Sequence, residues 1–105
     1  MVNRKQLAID FTESLKIHPE IVRIILFGSV ARGDDTEESD IDILIFIKKY
    51  EDEFEIRDDI YGKTFRTLIE TGEYLSAKII PIKHYEKYKN FSFYSNVDNE
   101  GVVIG

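Results

Sequence analysis

Ile24-Ile25-Leu26-Phe27-Gly28-Ser29-Val30-Ala31-Arg32-Gly33, followed by Ser39-Asp40-Ile41-Asp42-Ile43, is the stretch whose reading decides the fold. The apolar, β-branched run Ile21 to Phe27 has the character of a strand buried on both faces, and Gly28 marks its end. Residues 29–33 read as a short helical turn, 34–39 as a loop and 40–47 as a second strand. Side chains alternate along a strand, so Asp40 and Asp42 project to one side while Ile41, Ile43 and Ile45 project to the other. Two carboxylates so placed repel each other. A hard dication relieves that repulsion, and Mg²⁺ is usually held by one or two carboxylates together with substrate phosphates.

Working outward, Asn3 followed by Gln6 fits a helix amino-terminal cap, and Leu7, Ile9, Phe11, Leu15 and Ile17 supply apolar positions for a helix over residues 3–17. His18-Pro19 ends it, because the residue before proline is pushed out of helical geometry. Beyond the second strand, Phe54, Tyr61, Phe65 and Leu68, widened by Ile60 and Ile69, recur at helical spacing, so an amphipathic helix is expected from Asp52 to about Thr71. Gly72 closes that helix, Tyr74 to Ile82 reads as a third strand, and Pro81 points to an edge position or a strand end. Short helices near 84–90 and 92–99 and a short strand at 101–104 complete the order. The fold class expected is α/β: a small mixed sheet covered by helices on one face, with the site on the other.

The chain has 105 residues, which fits one domain spanning residues 1–105. It has no cysteine, so disulfides and thiolate metal sites are excluded and any metal must be bound by oxygen or histidine. No signal-like apolar run follows the polar amino terminus and no stretch reaches the length of a membrane span, so the expectation is a soluble cytoplasmic protein with no membrane association. Net charge is −6, from 20 acidic and 14 basic residues, which argues against non-specific nucleic-acid binding. Much of the excess lies in Asp34, Asp35, Glu37, Glu38, Asp40 and Asp42. A nucleotide arriving as its magnesium complex meets this region differently from naked phosphate. The four residues Asp34, Asp35, Glu37 and Glu38 equally fit a solvated loop.

A glycine after a buried strand permits close backbone approach, and the N–H groups of the turn that follows can bind phosphate oxygens. The pattern lacks the Gly-Lys-Ser/Thr of a Walker loop, the dinucleotide fingerprint and the spacing of an EF-hand. Gly28-Ser29, ten residues and then Asp40-Ile41-Asp42 resembles the signature of the nucleotidyltransferase superfamily related to DNA polymerase β. The Gly-Ser-x-Ala-Arg-Gly and Ser-Asp-Ile-Asp elements resemble its minimal nucleotidyltransferases, including the antitoxin partners of HEPN proteins. The resemblance is strongest over residues 20–47 and implies a polymerase β palm-like fold. It further implies that Asp40 and Asp42 are the catalytic, metal-binding pair for two Mg²⁺ ions. Gly28 and Ser29 would bind the β and γ phosphates of a nucleoside triphosphate, with ATP the expected one. Arg32 matches the family arginine, and its fixed fork of donors suits phosphate. Taken singly, Gly28 also fits a turn glycine, Ser29 a helix cap and Arg32 a surface charge.

Active members of the superfamily usually add a third carboxylate from a neighbouring strand. In Tyr74-Leu75-Ser76-Ala77-Lys78-Ile79-Ile80-Pro81-Ile82 the corresponding positions offer Ser76 or Lys78, and Glu73 is a weak substitute. Two functions follow. One is a Mg²⁺-dependent transferase that places a nucleoside monophosphate, AMP by the resemblance, on a hydroxyl such as a tyrosine of a HEPN-type partner. The other is a catalytically weak or inactive antitoxin or regulatory subunit that binds nucleotide or partner. A chain this short leaves no room for an acceptor-binding module, so a separate acceptor-binding protein is expected from the family. Tyr85, Tyr88, Phe91, Phe93 and Tyr94 read either as core packing or as an interface for such a partner or for a homodimer mate. His18 and His84 belong to no metal-spacing motif and read as surface or capping residues.

Overall fold

A computed structural model describes residues 2–105. Helix α1 (Arg4–Ser14) leads to strand β1 (Ile21–Phe27), the short helix α2 (Gly28–Arg32) and strand β2 (Ile41–Ile47). A 3₁₀ turn (Tyr50–Asp52) opens the long helix α3 (Glu53–Thr71), followed by β3 (Leu75–Pro81), α4 (Ile82–Tyr88), α5 (Ser92–Glu100) and β4 (Val102–Val103). The sheet order is β3-β2-β1-β4. β1 is antiparallel to both β2 and β4, whereas β2 and β3 are parallel. A parallel pair needs a long crossover, and α3 supplies it.

β2 is the centre of the sheet, and Ile41, Ile43, Leu44, Ile45, Phe46 and Ile47 are all fully buried. The pleat divides them. Ile41, Ile43, Ile45 and Ile47 join Ala8, Phe11 and Leu15 of the α1 region and Ile56 and Ile60 of α3 in one core. Leu44 and Phe46 pack on the opposite face against Tyr94 and Val97, flanked by Ile82, Tyr85 and Tyr88. The two long helices therefore lie on one face as expected, but the other face is not bare. α4 and α5 cover it because it too presents apolar side chains, leaving the carboxylate end of β2 outside their cover.

The Asn3 side chain accepts the Gln6 N–H at 3.0 Å, as the cap requires. α1 stops at Ser14, short of residue 17, in tighter turns such as Leu15 N–H to the Thr12 carbonyl at 3.0 Å. Lys63 of α3 caps it, donating to the Ser14 carbonyl at 2.9 Å and to Asp59 at 2.7 Å. His18 meets the same Asp59 oxygen at 2.6 Å. Lys63 first, then His18, hold the Asp59 carboxyl below its ordinary range.

α3 forms as the spacing predicts, and Gly72 caps it at φ 77°. Its orientation differs from the expectation. The residues turned to the core are Ile56, Ile60 and Thr64, whereas Phe54, Tyr61, Phe65 and Ile69 are exposed. Two apolar stripes compete on this helix. The β-branched one fits the close approach to the isoleucine-lined sheet, leaving the aromatic one outside. Pro81 is the last residue of β3, itself an edge strand. Among the described residues no helix is long and apolar enough to cross a membrane.

Candidate nucleotidyltransfer site

The antiparallel register sets Phe27, the last residue of β1, opposite Asp42, and Asp42 in turn lies beside Ser76 of β3. The chain leaves β1 through Gly28 at φ +74°, a left-handed conformation that a residue with a Cβ adopts only under strain. A methyl group on Gly28 would overlap the nearer Asp42 carboxylate oxygen and stand 3.2 Å from its Cγ. The turn thus presses bare backbone against the carboxylate. Ser29 follows in the first turn of α2, and its carbonyl accepts the N–H groups of Gly33 at 2.9 Å and Asp34 at 3.1 Å. Gly28 is brought against Asp42, and Ser29 follows it directly in the chain. Asp40, exposed just before β2, completes the acidic edge.

Burial pushes the Asp42 carboxyl above its ordinary value; Lys78 opposes that rise, the like charge of Asp40 adds to it and Arg32 opposes it again. Among the described residues, the ion pairs formed leave out Asp40 and Asp42. A desolvated carboxylate with a like-charged neighbour, against a glycine cradle, fits one hard cation completed by phosphate oxygens. The described residues contain no group of three acidic, histidine or cysteine side chains able to form an all-protein metal cage.

Arg32 stands at the rim, donating from Nε to Asp34 at 3.2 Å and from Nη1 to Glu100 at 3.1 Å. It shares a recess of about 190 Å³ with Phe27, Gly28, Phe93, Asn96, Val97 and Glu100. The contribution of α5 to this wall was not read from the sequence, since nothing local in Phe93, Asn96 or Glu100 signals a return to the end of β1. In the sequence Lys78 is only a basic residue at a position where an acid is expected. Its ammonium lies 5.9 Å from the centroid of the Phe27 ring.

Glu73 does not serve as the third acid, because it is bound to Arg4 at 2.8 Å. Arg4 also pairs with Asp35 at 2.8 Å and donates to the carbonyls of Thr36 and, at 2.9 Å, Glu37. One guanidinium of α1 thereby pins the acidic loop, which is tied rather than merely solvated. A concavity of about 510 Å³ lies on this side, lined by Arg4, Asp35, Glu37 and Glu73 among others, and within it Arg4, Asp35 and Glu73 are paired with one another. His84 likewise spends its Nδ1 on the Tyr94 hydroxyl at 2.7 Å.

The aromatic tail divides between the two expected roles. Tyr85 and Tyr94 pack on Phe46 with ring centroids 5.3 Å and 6.5 Å away. Phe91 and Phe93 remain exposed beside a groove of about 420 Å³ that they share with His84, Tyr88 and Tyr94.

The family model described as "Polymerase beta, Nucleotidyltransferase" matches residues 10–104. A Methanocaldococcus jannaschii protein named "Putative protein adenylyltransferase MJ0604" is 38% identical over 105 residues, covering 98% of this chain and 99% of that protein. A second protein of that organism with the same description, MJ0141, is 36% identical, with 95% of this chain and 93% of that protein covered. In fold, the chain is similar to a protein in the "Crystal structure of the toxin-antitoxin with AMP-PNP", at TM-score 0.59 and 17% identity, over 100% of this chain and 73% of that one. It is similar also to the protein in the "Crystal structure of a putative nucleotidyltransferase from Sulfolobus solfataricus at 1.40 A resolution", at TM-score 0.54 and 20% identity, over 96% of this chain and 81% of that one. By motif, sheet topology and relatives alike, this chain belongs to the polymerase β nucleotidyltransferase family and is a nucleotidyltransferase.

Proposed function

We propose that the protein transfers AMP from ATP, with Mg²⁺, to a protein hydroxyl, the tyrosine of a HEPN-type toxin partner. The observation that carries this reading is the pairing of Gly28 with Asp42, which brings a bare phosphate-binding turn against a desolvated carboxylate that no ion pair uses. The names of the M. jannaschii relatives support adenylyl transfer to protein, and the fold shared with a toxin–antitoxin structure holding AMP-PNP supports the nucleotide and the partner. Phe54, Tyr61, Phe65 and Ile69, exposed along α3, supply an apolar surface of the kind protein partners cover.

In this reading Asp40 and Asp42 hold the cation, and the backbone of Gly28 with the Ser29 hydroxyl orients the β and γ phosphates. Bound Mg²⁺ would lower the charge barrier between phosphate and incoming oxygen. Arg32 would exchange Asp34 and Glu100 for phosphate oxygens. The acceptor oxygen forms a bond to the α phosphorus, and the bond to the bridging α–β oxygen breaks with its electron pair leaving on pyrophosphate. The acceptor proton passes to solvent, since the described residues offer no third carboxylate beside the pair. That same feature favours a second reading, an antitoxin that binds nucleotide and partner without turnover.

The test is incubation with radiolabelled ATP, Mg²⁺ and the protein encoded by the adjacent open reading frame, followed by mass spectrometry. An adenylyl addition on a partner tyrosine, lost in Asp42→Asn, is the expected result. Partner neutralisation that survives Asp42→Asn with no pyrophosphate released selects the second reading.

A further inference from the structure

The parallel register places Lys78 beside Leu44, two residues past the Asp42–Ser76 pair and on the same face of the sheet. From this edge strand the side chain reaches across β2, bringing its ammonium to 5.9 Å from the Phe27 ring centroid. Phe27 is the residue directly opposite Asp42, so a positive charge stands over the ring of the residue that the register sets beside that carboxylate. The described residues give Lys78 no salt bridge, so its charge is uncommitted while both carboxylates remain open to a cation.

Two ions acting on one phosphoryl group sit about 3.5–4 Å apart, and each Mg²⁺ is usually held by one or two carboxylates besides the phosphates. Here the β1 flank of Asp42 is closed by Gly28 and the β3 flank carries an ammonium. A second dication on that flank would meet a fixed like charge and no additional acidic ligand. We propose that Lys78 stands in for a second metal ion: the site takes its nucleoside triphosphate with one divalent cation on Asp40 and Asp42, and the Lys78 ammonium supplies the remaining positive charge to the phosphates. This rests on the reading of Gly28, Ser29 and the aspartate pair as a metal–nucleotide site. It assigns Lys78 a role in substrate binding and departs from the two-ion arrangement that the family resemblance implies.

Mn²⁺ counted by electron paramagnetic resonance, titrated into the intact chain with saturating AMP-PNP, tests this without recourse to activity. One protein-bound Mn²⁺ per chain is expected. Lys78→Asp, which places a carboxylate on the open flank, is expected to saturate at two. Lys78→Met, close in length but uncharged, is expected to keep one Mn²⁺ while its Kd for AMP-PNP rises about tenfold. Lys78 is exposed, so both variants should fold, each with a single cooperative thermal melt. Two Mn²⁺ in the parent chain, one in folded Lys78→Asp, or unchanged nucleotide affinity in Lys78→Met each overturns the assignment of Lys78. A parent chain that takes up no Mn²⁺ with AMP-PNP overturns the nucleotide site itself and this proposal with it.

Discussion

Gly28 and Asp42 divide the demands of the site between backbone and side chain. With φ at +74° and a methyl group overlapping a carboxylate oxygen, Gly28→Ala meets both backbone strain and collision. The expected cost is about 1–3 kcal/mol in urea unfolding, with nucleotide affinity lost by at least about tenfold in an AMP-PNP titration. Asp42 behaves in the opposite sense. Its folded-state carboxyl titrates above the unfolded value of 3.8, so the folded chain keeps the proton over the interval between the two. Stability is therefore highest below the unfolded value and falls as pH rises through the folded one. At neutral pH the ionised group opposes folding, and Asp42→Asn is expected to raise Tm by roughly 1–3 °C while abolishing metal-dependent nucleotide binding. A melting series from pH 3 to pH 7, taken as about the range that brackets an acid of this kind, should show the gain growing with pH. An unchanged or lower Tm at the upper end would contradict the charge as the source of the cost. Both residues stood out in the sequence because Gly28 follows an apolar strand and Asp42 interrupts another, and the antiparallel register then sets the two side by side.

Elements were legible where one residue type controls them, and less so where two patterns overlap. Asn3 caps α1, Gly72 closes α3 and Pro81 ends β3, each by a local property that needs no tertiary partner. The outward turn of the α3 aromatics was not legible, because periodicity reports that a stripe exists without saying which of two neighbouring stripes the sheet will accept. Nor could composition reveal that Arg4 gathers Asp35, Glu73 and two loop carbonyls, a contact between positions 31 and 69 residues apart. This clamp stands between α1 and the loop delivering Asp40. Arg4→Ala is expected to speed amide hydrogen exchange across residues 34–39 about tenfold while leaving β2 protected. Exchange confined to its original rate would mean that the loop holds itself, through contacts such as Thr36 N–H to Ser39 Oγ at 2.9 Å.

At the scale of the molecule, one face of the sheet is sealed by α1 and α3, while the other is shared between the α4–α5 aromatic cover and the carboxylate edge. The exposed α3 stripe and the carboxylate edge then lie on opposite sides of the sheet, and under the proposed function catalysis and partner capture should be separable by mutation. Phe65 is 64% exposed, and Phe65→Asp is expected to change folding stability by no more than about 0.5 kcal/mol. Nucleotide binding should be unaffected, and the complex with the partner should weaken at least about tenfold in a pull-down titration. Equal weakening of nucleotide binding would show that the two surfaces are coupled. The sequence by itself determined the strands, the turn between them and the carboxylate pair, because alternation, glycine and the ten-residue interval are local properties of the chain. Only the tertiary structure decided which α3 stripe is buried, that α5 returns to wall the recess, and that an ammonium from the edge strand stands over Phe27, the residue opposite Asp42. Those outcomes depend on register and on packing between distant segments, where a side chain's meaning comes from what the fold brings beside it.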